Sequence, residues 1–110
     1  MSIRSIDQNF HVTGQLSPSH LQQVAEAGYR TVVCMRPDNE GFEQPRFDDM
    51  EKAGSALGIE FIHIPVIPGE VSLDQARKLK DVLSAKDGPV LAYCASGQRC
   101  AAVYQMTGLV

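Results

Sequence analysis

Val90-Leu91-Ala92-Tyr93-Cys94-Ala95-Ser96-Gly97-Gln98-Arg99-Cys100 is the stretch on which the fold turns. The continuous apolar run Val90 to Tyr93 is the pattern of a strand covered on both faces, which a central strand of a parallel sheet requires. It gives way at once to the small residues Ala95, Ser96 and Gly97. Beyond them Ala101-Ala102-Val103-Tyr104-Gln105-Met106 is good helix-forming material. The closing unit of the chain is therefore strand, tight loop, helix.

The same alternation extends towards the N-terminus. Asp87-Gly88-Pro89 turns the chain into the apolar run, and Ser72-Leu73-Asp74-Gln75 has the spacing of a capping box, which starts a helix from Leu73 to about Ser84. Ile59 to Val66 reads as a strand with Pro65 near its end, where a missing donor costs least, and Ile67-Pro68-Gly69-Glu70 as the loop after it. Phe47 to Leu57 reads as a helix closed by Gly58, although Gly54 is unfavourable inside it. Arg36 to Gly41 is dense in turn formers. Arg30 to Met35 is a β-branched strand, preceded by a helix from Ser17-Pro18 to about Ala27 with Gly28 at its end, and Phe10 to Thr13 is a short strand. Strands alternating with helices predict one α/β domain over residues 1–110, with a mostly parallel central sheet flanked by helices.

Composition narrows the function classes. With 44% hydrophobic residues in 110, there is apolar material for one core and too little for two. Ten Lys and Arg against thirteen Asp and Glu give a net charge of −3, so no overall basic field gathers nucleic acid or an anionic membrane, and any anion site must be local. Met1 to Phe10 has no apolar signal core, and no later run is long enough to span a bilayer, so a cytoplasmic location is expected. Cys34, Cys94 and Cys100 make an odd count, which argues against a disulfide framework, and the histidines and cysteines lack the paired short spacing of a zinc site. No metal or other cofactor is expected. The chain stops ten residues after Cys100, and a second copy, in a homodimer, is one candidate to cover the short last helix.

The chemistry is expected at the end of the central strand. Ligands of open α/β sheets settle beyond the carboxyl ends of the strands, where the first turn of the next helix presents unpaired amides. Cys94 stands there, with those amides, the positive end of a helix dipole and the charge of Arg99 all favouring thiolate over thiol. Ala95, Ser96, Gly97 and Gln98 are small or flexible enough to wrap the amides into a nest for a tetrahedral anion, whose oxygens the Arg99 fork would clamp. A cysteine ending a buried strand is commonly inert core. Here the apolar strand, small residues, glycine, arginine and following helix coincide around it.

Taken with that loop, Gly14-Gln15-Leu16-Ser17, Arg36-Pro37-Asp38-Asn39-Glu40, Gln44-Pro45 and His63-Ile64-Pro65-Val66 occur in an order that resembles the phosphatase-like domain of the bacterial β-lactamase-hydrolase-like family. The resemblance covers nearly the whole chain. It implies a fold similar to dual-specificity phosphatases and a cysteine-based phosphatase-like hydrolase working through a phosphocysteine, on a phosphorylated or sulfur-bearing anionic substrate. Members are also described as rhodanese-like sulfurtransferases, and some are fused to a metallo-β-lactamase-type domain, which these 110 residues do not contain.

The sequence departs from the phosphatase pattern in three places. Four residues separate Cys94 from Arg99, where cysteine phosphatases have five; the shorter ring is also that of single-domain rhodaneses and favours sulfur transfer through a persulfide. Tyr93 replaces the histidine that usually braces the loop, and Cys100 replaces the Ser or Thr whose hydroxyl stabilises the departing thiolate. If the loop curls, the Cys100 and Cys94 sulfurs are neighbours, able to form a reversible disulfide. Ester cleavage needs a proton donor, for which Glu70 is the first candidate and Asp74 and Asp38 are others. Arg36 would add a second positive group at the mouth or pair with Asp38 or Glu40. His63 reads as packed or hydrogen-bonded, Cys34 as core. A non-catalytic anion-binding module remains the third alternative.

Overall fold

The computed structural model describes residues 1–109 as a five-stranded sheet with helices on both faces. In chain order the elements are β1 (Arg4–Asp7), β2 (Phe10–Thr13), a 3-10 turn (Pro18–His20) running into α1 (Leu21–Glu26), β3 (Thr31–Cys34), α2 (Phe47–Ser55), β4 (Glu60–His63), α3 (Leu73–Ala85), β5 (Val90–Tyr93) and α4 (Gln98–Met106). The strand order is β1-β2-β5-β3-β4. All neighbours are parallel except β1, which pairs antiparallel with β2.

The apolar run at β5 is central, as its composition requires, and all four of its residues are buried. Its side chains alternate between two apolar clusters. Val90 and Ala92 join Phe10, Val12, Val33, Leu79 of α3 and Val103 and Tyr104 of α4 on one face, while Leu91 and Tyr93 join Val32, Leu21 and Val24 of α1 and Met50 of α2 on the other. Burying one Val or Leu stabilises by about 1.5–3 kcal/mol. A one-residue slip would leave both faces apolar but exchange them, setting Leu91 and Tyr93 into space filled by Val90 and Ala92. Overpacking of about 1–3 kcal/mol at such sites holds the register of β5 and the position of the residue that follows it.

Local signals explain most element ends. The Ser72 N–H donates to Gln75 Oε1 at 2.8 Å, as the capping-box spacing predicts, and α3 runs one residue past Ser84. Regular β4 stops at His63, three residues short of the predicted Val66. The ladder nevertheless continues irregularly, with Ile64 N–H donating to Cys34 O at 2.9 Å and Val66 N–H to Met35 O at 3.1 Å, and Pro65, which has no N–H, falls between them. Gly54 is buried inside α2 because a Cβ there would lie 2.3 Å from the Phe61 ring: close packing of α2 on β4 sets the glycine, and propensity yields to it. No helix among the described residues is long and apolar enough to cross a membrane.

Candidate active site

The parallel register brings the loops after β2, β3, β4 and β5 to one edge of the sheet. Cys94 follows β5 and lies on the face of Val90 and Ala92, fully buried at the floor of a loop whose Ala95, Ser96 and Gln98 are exposed. Gly97 is the N-cap of α4 at φ 90°, a left-handed conformation that directs its N–H back to the Cys94 sulfur at 3.1 Å. The backbone amides of Ser96, Arg99 and Cys100 also act on that sulfur. The matching carbonyls are held from outside: Gln15 N–H donates to Ala95 O at 3.4 Å and Arg4 Nη2 to Ser96 O at 3.5 Å. Gly14 permits this approach, since a Cβ on it would meet Ala95 O at 3.1 Å. The loop therefore turns donors inward and acceptors outward, which makes it a cradle for an anion.

The sulfur is the first anion it stabilises. The Cys94 thiol is pushed down to about 5, first by the hydrogen bond from the Cys100 side chain, against the opposing effect of burial, and then by the amides of Cys100, Ser96 and Arg99. At neutral pH thiolate outnumbers thiol by about a hundredfold at such a value. Cys100, fully buried and pressed against that negative charge, is pushed well above the ordinary thiol range and keeps its proton. All three cysteines are free.

Arg99 approaches from the first turn of α4, which begins three residues before the predicted Ala101 because Gly97 caps it. Its Nη1 donates to Glu40 Oε2 at 2.7 Å and Val66 O at 2.8 Å, and its Nη2 to Glu40 Oε1 at 2.6 Å. Three of the five guanidinium N–H groups are thus engaged by protein oxygens, which leaves 5 − 3 = 2, the Nε–H and one Nη2–H, side by side on one edge. The Cys94 sulfur also acts on this side chain, and the edge suits two oxygens of an anion held there. Glu40 raises the Arg99 pKa, and the Arg99 hydrogen bonds hold the Glu40 carboxyl below its usual range. The pair is only 12% and 21% exposed, so it is partly shielded from solvent. Arg36 Nε completes the group on Glu40 Oε1 at 2.9 Å, with its Nη1 on Gln15 Oε1 at 3.0 Å.

Residues 2–109 match the family described as beta-lactamase hydrolase-like protein, phosphatase-like domain. The chain belongs to this family. It is 26% identical over 110 residues to the beta-lactamase hydrolase-like protein of Xylella fastidiosa (strain Temecula1), and 25% identical over 99 residues to that of Agrobacterium fabrum, covering 100% and 90% of this chain. It spans only about a quarter of the length of these curated relatives, 26% and 23%. Among solved structures, a candidate phosphatase from Neisseria meningitidis superposes with a TM-score of 0.87 at 30% identity, over 94% of this chain and 74% of that one. A candidate phosphatase from Shewanella putrefaciens gives 0.82 at 18%, over 97% and 67%. PTPMT1 gives 0.69 at 15%, over 87% and 63%, a likeness of fold.

Within this phosphatase-like domain the other sequence candidates separate. Glu70 is exposed and lines, with Pro37, Pro65, Ile67 and Gln75, a hollow of about 360 Å³ whose lining includes no residue of the Cys94 loop. Asp38 is turned elsewhere: its Oδ1 accepts from Phe47 N–H at 2.8 Å and caps α2. Asp74 is exposed and 3.9 Å from Arg77. Arg36 pairs with Glu40 instead of standing free at the mouth. His63 is stacked on Phe47 with ring centroids 4.5 Å apart, and its Nε2 lies 3.1 Å from Arg36 O, so that nitrogen carries the proton. Cys34 is buried, its thiol donating to Arg36 O at 3.4 Å. Strand alternation sends Tyr93 to the face opposite Cys94, against Cys34 and Phe61, so it gives the loop no side-chain brace.

Two residues of the site were not singled out from sequence. In the sequence Glu40 reads only as a partner for its neighbour Arg36; its contact with Arg99 crosses 59 residues and follows only from pairing β3 beside β5. Arg4 becomes visible only once β1 is seen to be a strand. Gln15 lay within the family resemblance, but nothing in its spacing shows that it spans Arg36 and the loop.

Proposed function

We propose that this domain is a cysteine-dependent phosphomonoester hydrolase. The observation that carries the reading is geometric: the buried Cys94 sulfur accepts from the Gly97 N–H at 3.1 Å, beside a guanidinium with one edge free of protein oxygens. The thiolate attacks phosphorus while the P–O bond to the organic group breaks, forming a phosphocysteine. The loop amides and Arg99 take up the charge spread over the equatorial oxygens. The departing oxygen needs a proton, for which the exposed Glu70, in the loop after β4 on the same edge of the sheet, is the proposed donor. Water then attacks phosphorus, releasing phosphate and returning the sulfur to its thiolate, with the Cys100 thiol donating to it as it leaves. Three free cysteines fit a reducing cytoplasm.

The four-residue spacing between Cys94 and Arg99 favours a second reading, a sulfurtransferase in which Cys94 carries sulfane sulfur from a donor such as thiosulfate to a thiol or cyanide. Aryl phosphate hydrolysis and thiosulfate-to-cyanide transfer, measured side by side with Cys94→Ser as control, separate the two. Hydrolysis that disappears in Cys94→Ser, with a phosphoryl adduct on the intact protein, is expected. Glu70→Gln should lower hydrolysis of esters with basic leaving groups by about 10²-fold or more. Cyanide-dependent transfer with a persulfide adduct, and a fully active Glu70→Gln, would replace the first reading by the second.

A further inference from the structure

Arg4 stands on β1, the antiparallel edge strand, opposite Val12 of β2. Its Nη2 donates to Ser96 O at 3.5 Å, and a Cβ on Gly97 would meet the same nitrogen at 2.8 Å. The other end of that peptide unit is the Gly97 N–H, which donates to the Cys94 sulfur at 3.1 Å. Guanidinium, peptide dipole and sulfur therefore form one line of charge and dipole across the wall of the loop.

We propose that Arg4 is a positioning residue for the nucleophile: from the outer wall it pins and polarises the Ser96–Gly97 peptide so that its N–H stays directed at the Cys94 thiolate. The inference rests on the reading of Cys94 as the nucleophile. A peptide preceding glycine is easily turned over, because glycine accepts either sign of φ. Turning this one would aim the Ser96 carbonyl at the sulfur, replacing an attraction by a repulsion. A cation on the carbonyl side penalises that flip and strengthens the donor at the far end. At 3.5 Å the contact is long for a hydrogen bond, so its effect is that of a charge on a dipole.

Other charged and titratable groups act on Cys94 from different sides. Arg99 and Cys100 belong to α4, and Glu40, from the loop after β3, acts through Arg99. Cys34 of β3 acts on Cys100. From the β2 side the loop meets the neutral backbone of Thr13 and Gln15. Arg4 supplies the charge on that wall.

The test is the rate of Cys94 alkylation by iodoacetamide from about pH 4 to about pH 9, on the full chain under reducing conditions, with Cys94→Ser as blank. Arg4→Gln should move the inflection up by about half to one pH unit, and Arg4→Met, which keeps the apolar stem, should do the same if the Gln variant does not fold. Arg4→Lys should restore the wild-type profile, since the charge returns. Superimposed wild-type, Gln and Met profiles, or a Lys profile displaced as far as theirs, would overturn the proposal. The readout is the sulfur itself. A wild-type protein inert towards aryl phosphates ends the hydrolase reading without touching this one, and an unmoved profile ends this one alone.

Discussion

Cys94→Ser removes an ionisable sulfur and leaves a hydroxyl that stays neutral, so the stability difference between the two proteins should itself depend on pH. In the folded chain the thiol is depressed to about 5; in the unfolded chain it returns to roughly 8.5, the ordinary thiol value. Between those limits the folded protein holds a thiolate while the unfolded chain binds a proton. For a depressed pKa the contribution is fully present above the unfolded value and is lost as pH falls through the folded one. The slope over the window is about 1.4 kcal/mol per pH unit. From about pH 6 to about pH 8 the wild type should gain roughly 2.5 kcal/mol relative to Cys94→Ser, a little under the full slope because each state is partly titrated at one end of the window. Any constant offset between Ser and Cys cancels, as do other titrating groups that the substitution leaves alone. Urea unfolding of both proteins at the two pH values, with reductant present, measures the quantity. A difference flat to within about 0.5 kcal/mol would mean that the buried sulfur is an ordinary thiol, and the account of the inward-facing amides would be refuted along with it.

Glu40→Gln keeps the shape of the brace on Arg99 but removes its charge and one of its two acceptor oxygens. kcat/KM for an aryl phosphate should fall by about 10- to 100-fold, in line with about 1.5–3 kcal/mol for hydrogen bonds between charged groups, and competition by inorganic phosphate should weaken; unchanged kinetics would show that the pair is incidental. Gly54→Ala sets a propensity gain of up to about 1 kcal/mol against a Cβ only 2.3 Å from the Phe61 ring. Overpacking of about 1–3 kcal/mol should win, giving a lower urea midpoint with activity per folded molecule retained.

The order and type of most elements was legible because their signals are local. The capping box at Ser72, the apolar run of β5 and the small residues after Cys94 each state their own structure, and together they put Cys94 at a tight turn that leads into Arg99 at the start of α4. β1 was missed because Arg4–Asp7 is four exposed residues without apolar alternation, a strand made by pairing and not by burial. Glu40 was missed for a related reason: its partner is chosen by the neighbourhood of β3 and β5, which no spacing along the chain expresses. Asp38 illustrates the converse error, a carboxylate in a suggestive loop whose oxygen caps the start of α2.

The depth of Cys94 has a consequence for what can be cleaved. Because β5 has a neighbour on each side, the sulfur cannot rise to meet its target, and the exposed rim of Ala95, Ser96 and Gln98 stands above it. If Cys94 is the nucleophile proposed above, a phosphorus carried at the tip of a molecule, with a single organic arm, reaches it more readily than an internal diester, which would bring two arms against the exposed Ala95, Ser96 and Gln98. On the proposed hydrolase reading, the fixed position of the strand end would favour terminal monoesters by reach, before any contact with the organic group is made.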